Sequence, residues 1–142
     1  AFIGFHDATK RLRDHEAAEL IQKYDPEVDH VVVSIHWGEE YKKMPNARQK
    51  NLAHLFINSG ADLIIGHHPH VPQTRENYKG VEIFYSLGNF IFDQYWSDAT
   101  QHGLAVAVEW PSSSSSSTSS SSPTFTELPL TLYKSIPELS LP

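Results

Sequence analysis

The chain has 142 residues, a formal charge of −6 and no cysteine, a length that suits one domain of ordinary size. Disulfides, thiolate metal sites and cysteine nucleophiles are therefore excluded. No apolar run approaches the roughly 20 residues of a membrane helix, and an acidic chain whose longest basic stretch is Lys10-Arg11-Leu12-Arg13 is a poor candidate for nucleic acid. The first residue is Ala1 and the only methionine is Met44, the pattern expected of a processed protein or a fragment. No signal peptide remains.

Phe2-Ile3-Gly4-Phe5 is expected to be the end of a strand. Asp7 or Thr9 then caps a helix running to about Tyr24, with Ala17, Leu20, Ile21 and Tyr24 at helical spacing. Asp25-Pro26 ends that helix. Val28 to Ile35 is a near-continuous apolar run of the buried-strand type. Asn46 caps a second helix to about Asn58, whose apolar face is Leu52, Leu55 and Phe56, and Gly60 closes it in a left-handed conformation. Further strands are expected at Ala61 to Ile65, Val81 to Leu87 and Gly103 to Trp110, with a turn at Asn77-Tyr78-Lys79-Gly80. The order β-α-β-α-β-β-β describes an α/β layered domain. Ser112 to Ser122 is serine apart from Thr118, the composition of a flexible linker or of an unassigned segment. The tail regains pattern, with short strands at Phe125-Leu128 and Leu130-Tyr133 broken by Pro129. The expected division is thus 1–110, a linker at 111–123, and a tail at 124–142.

Histidine carries the chemistry. Gly66-His67-His68-Pro69-His70 follows the apolar run Leu63-Ile64-Ile65, and His36 follows Val31-Val32-Val33-Ser34-Ile35. Neutral imidazole is a common transition-metal ligand, and ligands of open α/β sheets gather at the carboxyl ends of the strands. His68 and His70, two apart in extended geometry, point to one side and make a pair of candidate metal ligands. His67 would point the other way, as a supporting group or a substrate contact. His36 is a third candidate ligand. Trp37 and Gly38 would shape the pocket wall. Glu39 and Glu40 are either further ligands or bases, or a solvated turn. Asn89, after Gly88 at the end of another strand, would bind substrate or orient a ligand. Asp93 is expected at the surface, and His6, His15, His30, His54 and His102 as scattered surface or core residues. No Gly-rich phosphate loop and no serine-hydrolase elbow is present.

Three segments together, Ser34-Ile35-His36-Trp37-Gly38-Glu39-Glu40-Tyr41, Gly60 to Val71, and Tyr85-Ser86-Leu87-Gly88-Asn89-Phe90-Ile91-Phe92, resemble the bacterial capsule-synthesis family, the poly-γ-glutamate biosynthesis proteins. That family is similar to the calcineurin-like metallophosphoesterases. The resemblance covers about Ala1 to Trp110 and corresponds to the carboxyl-terminal half of the family domain. It implies a four-layer α/β/β/α sandwich of the metallophosphoesterase type, incomplete in this chain. It also implies two divalent metal ions (Mn, Zn, Fe or Mg) at the strand ends. His36 matches the family's single-histidine motif, and His68 and His70 match its paired motif. The expected site is therefore His36 and His68 as catalytic residues, His36, His68 and His70 as metal ligands, and His67 and Asn89 as substrate contacts. Such a centre would polarise a phosphoester and lower the pKa of an attacking water.

The upstream half of the same domain, in a longer chain or as a partner, would supply carboxylates and the proton donor. The implied function is a metal-dependent phosphoesterase or hydrolase at the cell envelope or outside the cell. Any membrane association would run through parts outside this chain, such as an amino-terminal anchor. The alternative is a non-catalytic component of a capsule-polymer synthesis or export complex. An anionic polymer or a phosphoester is the expected substrate. Since net charge opposes a polyanion, direct contact would need metal ions or local groups such as Arg48 and Arg75.

Overall fold

The computed structural model describes residues 1–111 and 122–140. The chain is a mixed α/β structure in which β1 (Phe2–His6), α1 (Asp14–Tyr24), β2 (Val32–His36), α2 (Ala47–Asn58), β3 (Leu63–His67), β4 (Arg75–Tyr78), β5 (Val81–Phe84), β6 (His102–Glu109), β7 (Thr124–Tyr133) and β8 (Ile136–Leu139) follow in order. The first five strands form one sheet of order β1-β2-β3-β5-β4, and the last three form a second sheet. β1, β2, β3 and β5 are parallel, and β4 runs antiparallel at the edge.

Alternation along the strands sorts the core into two faces. Ile3, Val33, Ile35, Ile64, Ile83 and Tyr85 pack with Ala17 and Ile21 of α1 and with Leu52, Ala53 and Phe56 of α2. Val32, Leu63 and Phe84 face the other way, onto Leu104, Val106 and Val108 of β6 and Phe125 of β7. β2, β3 and β5 are thus covered on both sides, which is why Val31 to Ile35, interrupted only by Ser34, and Leu63 to Ile65 read as apolar runs.

The helix boundaries follow from where polar groups find partners. α2 begins as expected: Asn46 Oδ1 accepts from the Gln49 N–H at 2.9 Å, and Gln49 Oε1 accepts from the Asn46 N–H at 3.0 Å, a reciprocal capping box. Gly60 closes it at φ +108°. α1, expected from Asp7 or Thr9, starts at Asp14 with no side-chain cap. Both expected caps are engaged elsewhere. Asp7 accepts from the Leu12 N–H and from Arg48, and the Thr9 hydroxyl pairs with His6 Nε2 at 2.7 Å.

Three strand expectations change. The run expected from Val28 forms a strand only from Val32: a bend at Val28-Asp29 follows the 3-10 turn of Asp25–Glu27, and the Val31 N–H donates to Asp62 Oδ2 at 2.7 Å. The turn expected at 77–80 narrows to Lys79-Gly80, with φ +55° and +87° at its two central residues, the geometry of a tight β-hairpin. It joins β5 to β4, an edge strand whose polar sequence Arg-Glu-Asn-Tyr carries no buried-strand signal. In the tail, β7 runs straight through Pro129. Pro129 stands opposite Leu104, whose N–H is directed to the Leu87 carbonyl, and on its other side β8 has already ended at Leu139. On that side one bond remains, from the Ser140 N–H to the Pro129 carbonyl at 2.8 Å, and the missing proline N–H falls at this last position. The serine-rich segment expected at 112–122 lies, except for Ser122, outside the described residues.

One contact ties the strand ends together. Trp37, fully buried, crosses β3 at Gly66 and donates its indole N–H to the Tyr85 carbonyl at 2.9 Å. A Cβ on Gly66 would stand 2.1 Å from that carbonyl oxygen and 2.4 Å from the indole nitrogen. We expect Gly66→Ala to destabilise the fold by about 3 kcal/mol through overpacking. Urea denaturation followed by tryptophan fluorescence checks this, and an unchanged midpoint would remove the crossing from its structural role.

Candidate metal centre

The parallel strands end in histidine. His6 is in register with His36, and His36 with His67, so the last residues of β1, β2 and β3 form a row across the sheet edge. Alternation puts all three on the face opposite Val33, Ile35 and Trp37. The His6 and His36 rings stack at 5.2 Å with an interplanar angle of 10°. His6, expected as a scattered residue, thus belongs to the same edge. The signal that finds it is the one used for His36, an apolar strand that ends in histidine.

His68 and His70 return over this row. His68 Nδ1 lies 3.0 Å from His36 Nε2, and the His68 and His70 ring centroids are 6.1 Å apart. They do not converge through the extended spacing expected of residues two apart. His68 has φ +102° and His70 φ +60°, positive values that L residues seldom adopt. The loop turns back on itself at both residues. His67, as the last residue of β3, faces the row rather than away from it.

Asn89 orients His70. It is buried, and its Nδ2 donates to the Thr100 carbonyl at 2.9 Å, so its Oδ1 is the atom 2.8 Å from His70 Nδ1. A carbonyl oxygen accepts only, so Nδ1 carries the proton, and in the neutral ring Nε2 keeps its lone pair. Gly88, at φ +72°, and Gly103 allow this turn to lie against β6: a Cβ on Gly103 would stand 2.0 Å from the Asn89 carbonyl oxygen.

Burial, and then the neighbouring His68, His6, His67 and His70, push the His36 pKa below the ordinary imidazole value. Burial also lowers His68, with Glu40 opposing and His70 and His6 adding to the shift. Burial alone lowers His67. The site favours neutral imidazole, the form that binds metal.

The wall differs from the expected one. Trp37 lies in the helix-side core, away from the histidines. The side chains beside His70 are instead Tyr41, with centroids 6.0 Å apart, and Phe92, at 4.9 Å; Trp96 meets Tyr41 edge-on at 4.6 Å. Glu39 accepts from Asn46 Nδ2 at 3.2 Å. Glu40, left open by the sequence, comes together with His68 and His70: one ligand atom from each lies within 4.8 Å of the others. Asp93 is exposed, as expected. These donors, nitrogens with one carboxylate, suit a borderline divalent transition metal.

Arg48 and Arg75, expected as groups free for a polyanion, are both engaged. Arg75 pairs with Glu82 and Glu127. Arg48 bonds Asp7 at 2.8 Å and Asp14 at 2.5 Å, and Asp7 is only 4% exposed. Burial works to raise the Asp7 carboxyl, but the Arg48 hydrogen bond, the Leu12 N–H and the Arg48 charge outweigh it and hold its pKa low. Asp14 is held low first by its Arg48 hydrogen bond. A carboxyl depressed in the folded state adds stability that is present above its unfolded pKa and lost as pH falls through the folded value. Arg48→Met should cost about 2–4 kcal/mol at neutral pH, since it strands the Asp7 carboxylate. It should also flatten the loss of stability between about pH 5 and pH 2. Denaturant midpoints measured across that range test both.

The sequence profile of the family described as bacterial capsule synthesis protein PGA_cap matches residues 4–94. The chain is 53% identical over 78 residues to the PGA biosynthesis protein CapA of Bacillus subtilis (strain 168), covering 55% of this chain and 20% of that protein. It is 58% identical over 69 residues to the capsule biosynthesis protein CapA of Bacillus anthracis, covering 49% of this chain and 17% of that protein. The matched stretches thus span about a fifth of the length of these relatives.

Proposed function

Because this chain belongs to the bacterial capsule synthesis protein family, we propose that it forms the histidine-bearing part of a metal-dependent hydrolase in poly-γ-glutamate capsule synthesis at the cell envelope. The observation that carries the metal reading is the 3.0 Å approach of His36 Nε2 to His68 Nδ1, beside a His70 whose free nitrogen is set by Asn89. Two imidazole nitrogens that close, in rings whose pKa burial pushes down, are disposed to share or flank a cation. His36, His68 and His70 would hold the metal, with carboxylates from sequence beyond this chain completing a two-ion centre. A bound divalent ion supplies Lewis acidity toward a phosphoester or amide oxygen and lowers the pKa of water. The chain's own part is to aim imidazoles, to hold the His70 tautomer, and to wall one side with Tyr41 and Phe92. His67 and Asn89 stand beside that space, with Asn89 committed to orienting His70. In the same reading, the helix layer and two sheets are three layers of a four-layer α/β/β/α sandwich of the metallophosphoesterase type.

The test joins metal content to turnover. We expect the 142-residue chain alone to hydrolyse a generic phosphodiester weakly or not at all, and the longer protein to do so with bound metal. His68→Ala and His70→Ala should abolish that turnover. Metal bound without turnover of phosphodiester or polymer would favour the non-catalytic role in a synthesis or export complex. Absence of metal from the longer protein by elemental analysis would overturn the reading.

Asn89→Ala should lower zinc affinity by about 10–100-fold, the usual cost of losing a group that orients a ligand. Isothermal titration measures it, and an affinity within twofold of the parent would show that His70 needs no such support.

A further inference from the structure

We infer that β1 is an interior strand of the assembled protein: a further strand, from sequence of the same protein outside residues 1–142, pairs in parallel with its open edge, and a helix attached to that strand fills the apolar groove beside α1. The inference rests on the reading above only for the chemistry that this segment brings. Its packing stands on the fold.

The two edges of the main sheet differ. β4 closes one side with Arg75-Glu76-Asn77-Tyr78, an antiparallel and polar strand, the kind of composition that natural edges use against further pairing. β1 closes the other side with Phe2-Ile3-Gly4-Phe5-His6, and among the described residues it is paired with β2 alone. The Val32 N–H donates to the Ala1 carbonyl and the Asp7 N–H to the His36 carbonyl, both at 2.8 Å. Bonding alternates from side to side along a parallel strand, so Phe2, Gly4 and His6 direct their backbone groups away from β2. An apolar edge with outward N–H and carbonyl groups is a template for another strand.

Both faces of β1 are unfinished. On the face shared with Val32 and Leu63, Phe2 is 84% exposed, and a Cβ added to Gly4 would meet nothing within 4 Å. On the helix face, Phe5, Leu12, Ala17 and Leu20 line an open groove, and Leu20 is 38% exposed within α1. A parallel strand is normally covered on both faces, as β2 and β3 are here. Lys10 and Arg11 also line the groove. They belong to the longest basic stretch of a chain whose formal charge is −6, and they favour an incoming helix with acidic residues along that rim.

The length of the relatives supplies the occupant. The matched stretches are 20% and 17% of the two capsule proteins, which leaves ample sequence for a strand and a helix. A second copy suits the edge less well. A two-fold axis uses the same patch on both partners, so it would set the β1 strands antiparallel and bring two basic rims into one interface. His6 ends β1 in register with His36. The added strand therefore ends beside the histidine row, where the proposed centre needs carboxylates.

Hydrogen exchange at single-residue resolution tests this in the 142-residue chain and in the longer protein that contains it. The Gly4 and His6 amides are expected to exchange at least about 100-fold more slowly in the longer protein. The Ile3 and Phe5 amides, directed to β2, should be protected in both. Leu20→Lys should leave the urea midpoint of the 142-residue chain nearly unchanged and lower that of the longer protein. Equal exchange of Gly4 and His6 in the two proteins would overturn the inference. Protection that grows with the concentration of the 142-residue chain would make a second copy the occupant and overturn it as well. A longer protein indifferent to Leu20→Lys would remove the helix from the groove. A protected edge in a longer protein without metal would uphold the inference while the metal reading fails, and a metal-bearing longer protein with an unprotected edge would do the reverse.

Discussion

The crossing of Trp37 over Gly66 is the contact on which the site's geometry depends. Parallel neighbours in a sheet are held in register by slanted backbone bonds, which weaken where the strands end. Here the ends of β2, β3 and the segment after β5 are joined by one buried indole that reaches over β3 to the Tyr85 carbonyl. Glycine at position 66 is the only residue whose side chain leaves room for it. Because alternation is strict, pinning Trp37 into the helix-side core forces His36, one residue earlier, onto the opposite face. The same logic at Gly66 places His67 beside it. The histidine row is therefore the reverse side of a packing contact.

Gathering imidazoles at one edge has an electrostatic consequence. Each neighbour that acquires a proton opposes protonation of the next, and burial adds to the opposition. His36, His67 and His68 are accordingly pushed toward their neutral forms. The carboxylates close by divide into two kinds. Asp7 and Asp14 are consumed by Arg48, which locks the loop after β1 to α2. Glu40 instead keeps an oxygen within 4.8 Å of donor atoms of His68 and His70. Ion pairing thus decides which acids hold the fold.

The second sheet packs on the same face of the main sheet that carries the histidine row. β6 covers the face of the main sheet that bears Val32, Leu63 and Phe84, and its glycine, Gly103, lets the Asn89 turn sit flush against it. The His70 tautomer is consequently set by a strand that is distant in sequence from the histidine loop.

Much of this was legible in the sequence. Apolar runs long enough to be covered on both faces marked β2 and β3, the Asn46 and Gly60 signals bounded α2, and an apolar strand ending in histidine pointed to His36 and to the 67–70 cluster. Those are local patterns, and local patterns determine local conformation. α1 began later than its apparent caps because Asp7 and Thr9 found partners in Arg48 and His6, and no propensity scale records such a choice. The polar edge strand β4 carried no signal because half of it faces water. Pro129 was absorbed because the ladder ended beside it. His6 entered the site, Trp37 left it, and Glu40 joined His68 and His70 through a bond from the Tyr41 N–H to the Pro69 carbonyl. The residue types that could bind a metal were written in the chain. Which of them meet was decided by strand register, positive-φ turns and long-range hydrogen bonds, since each joins residues far apart in the sequence.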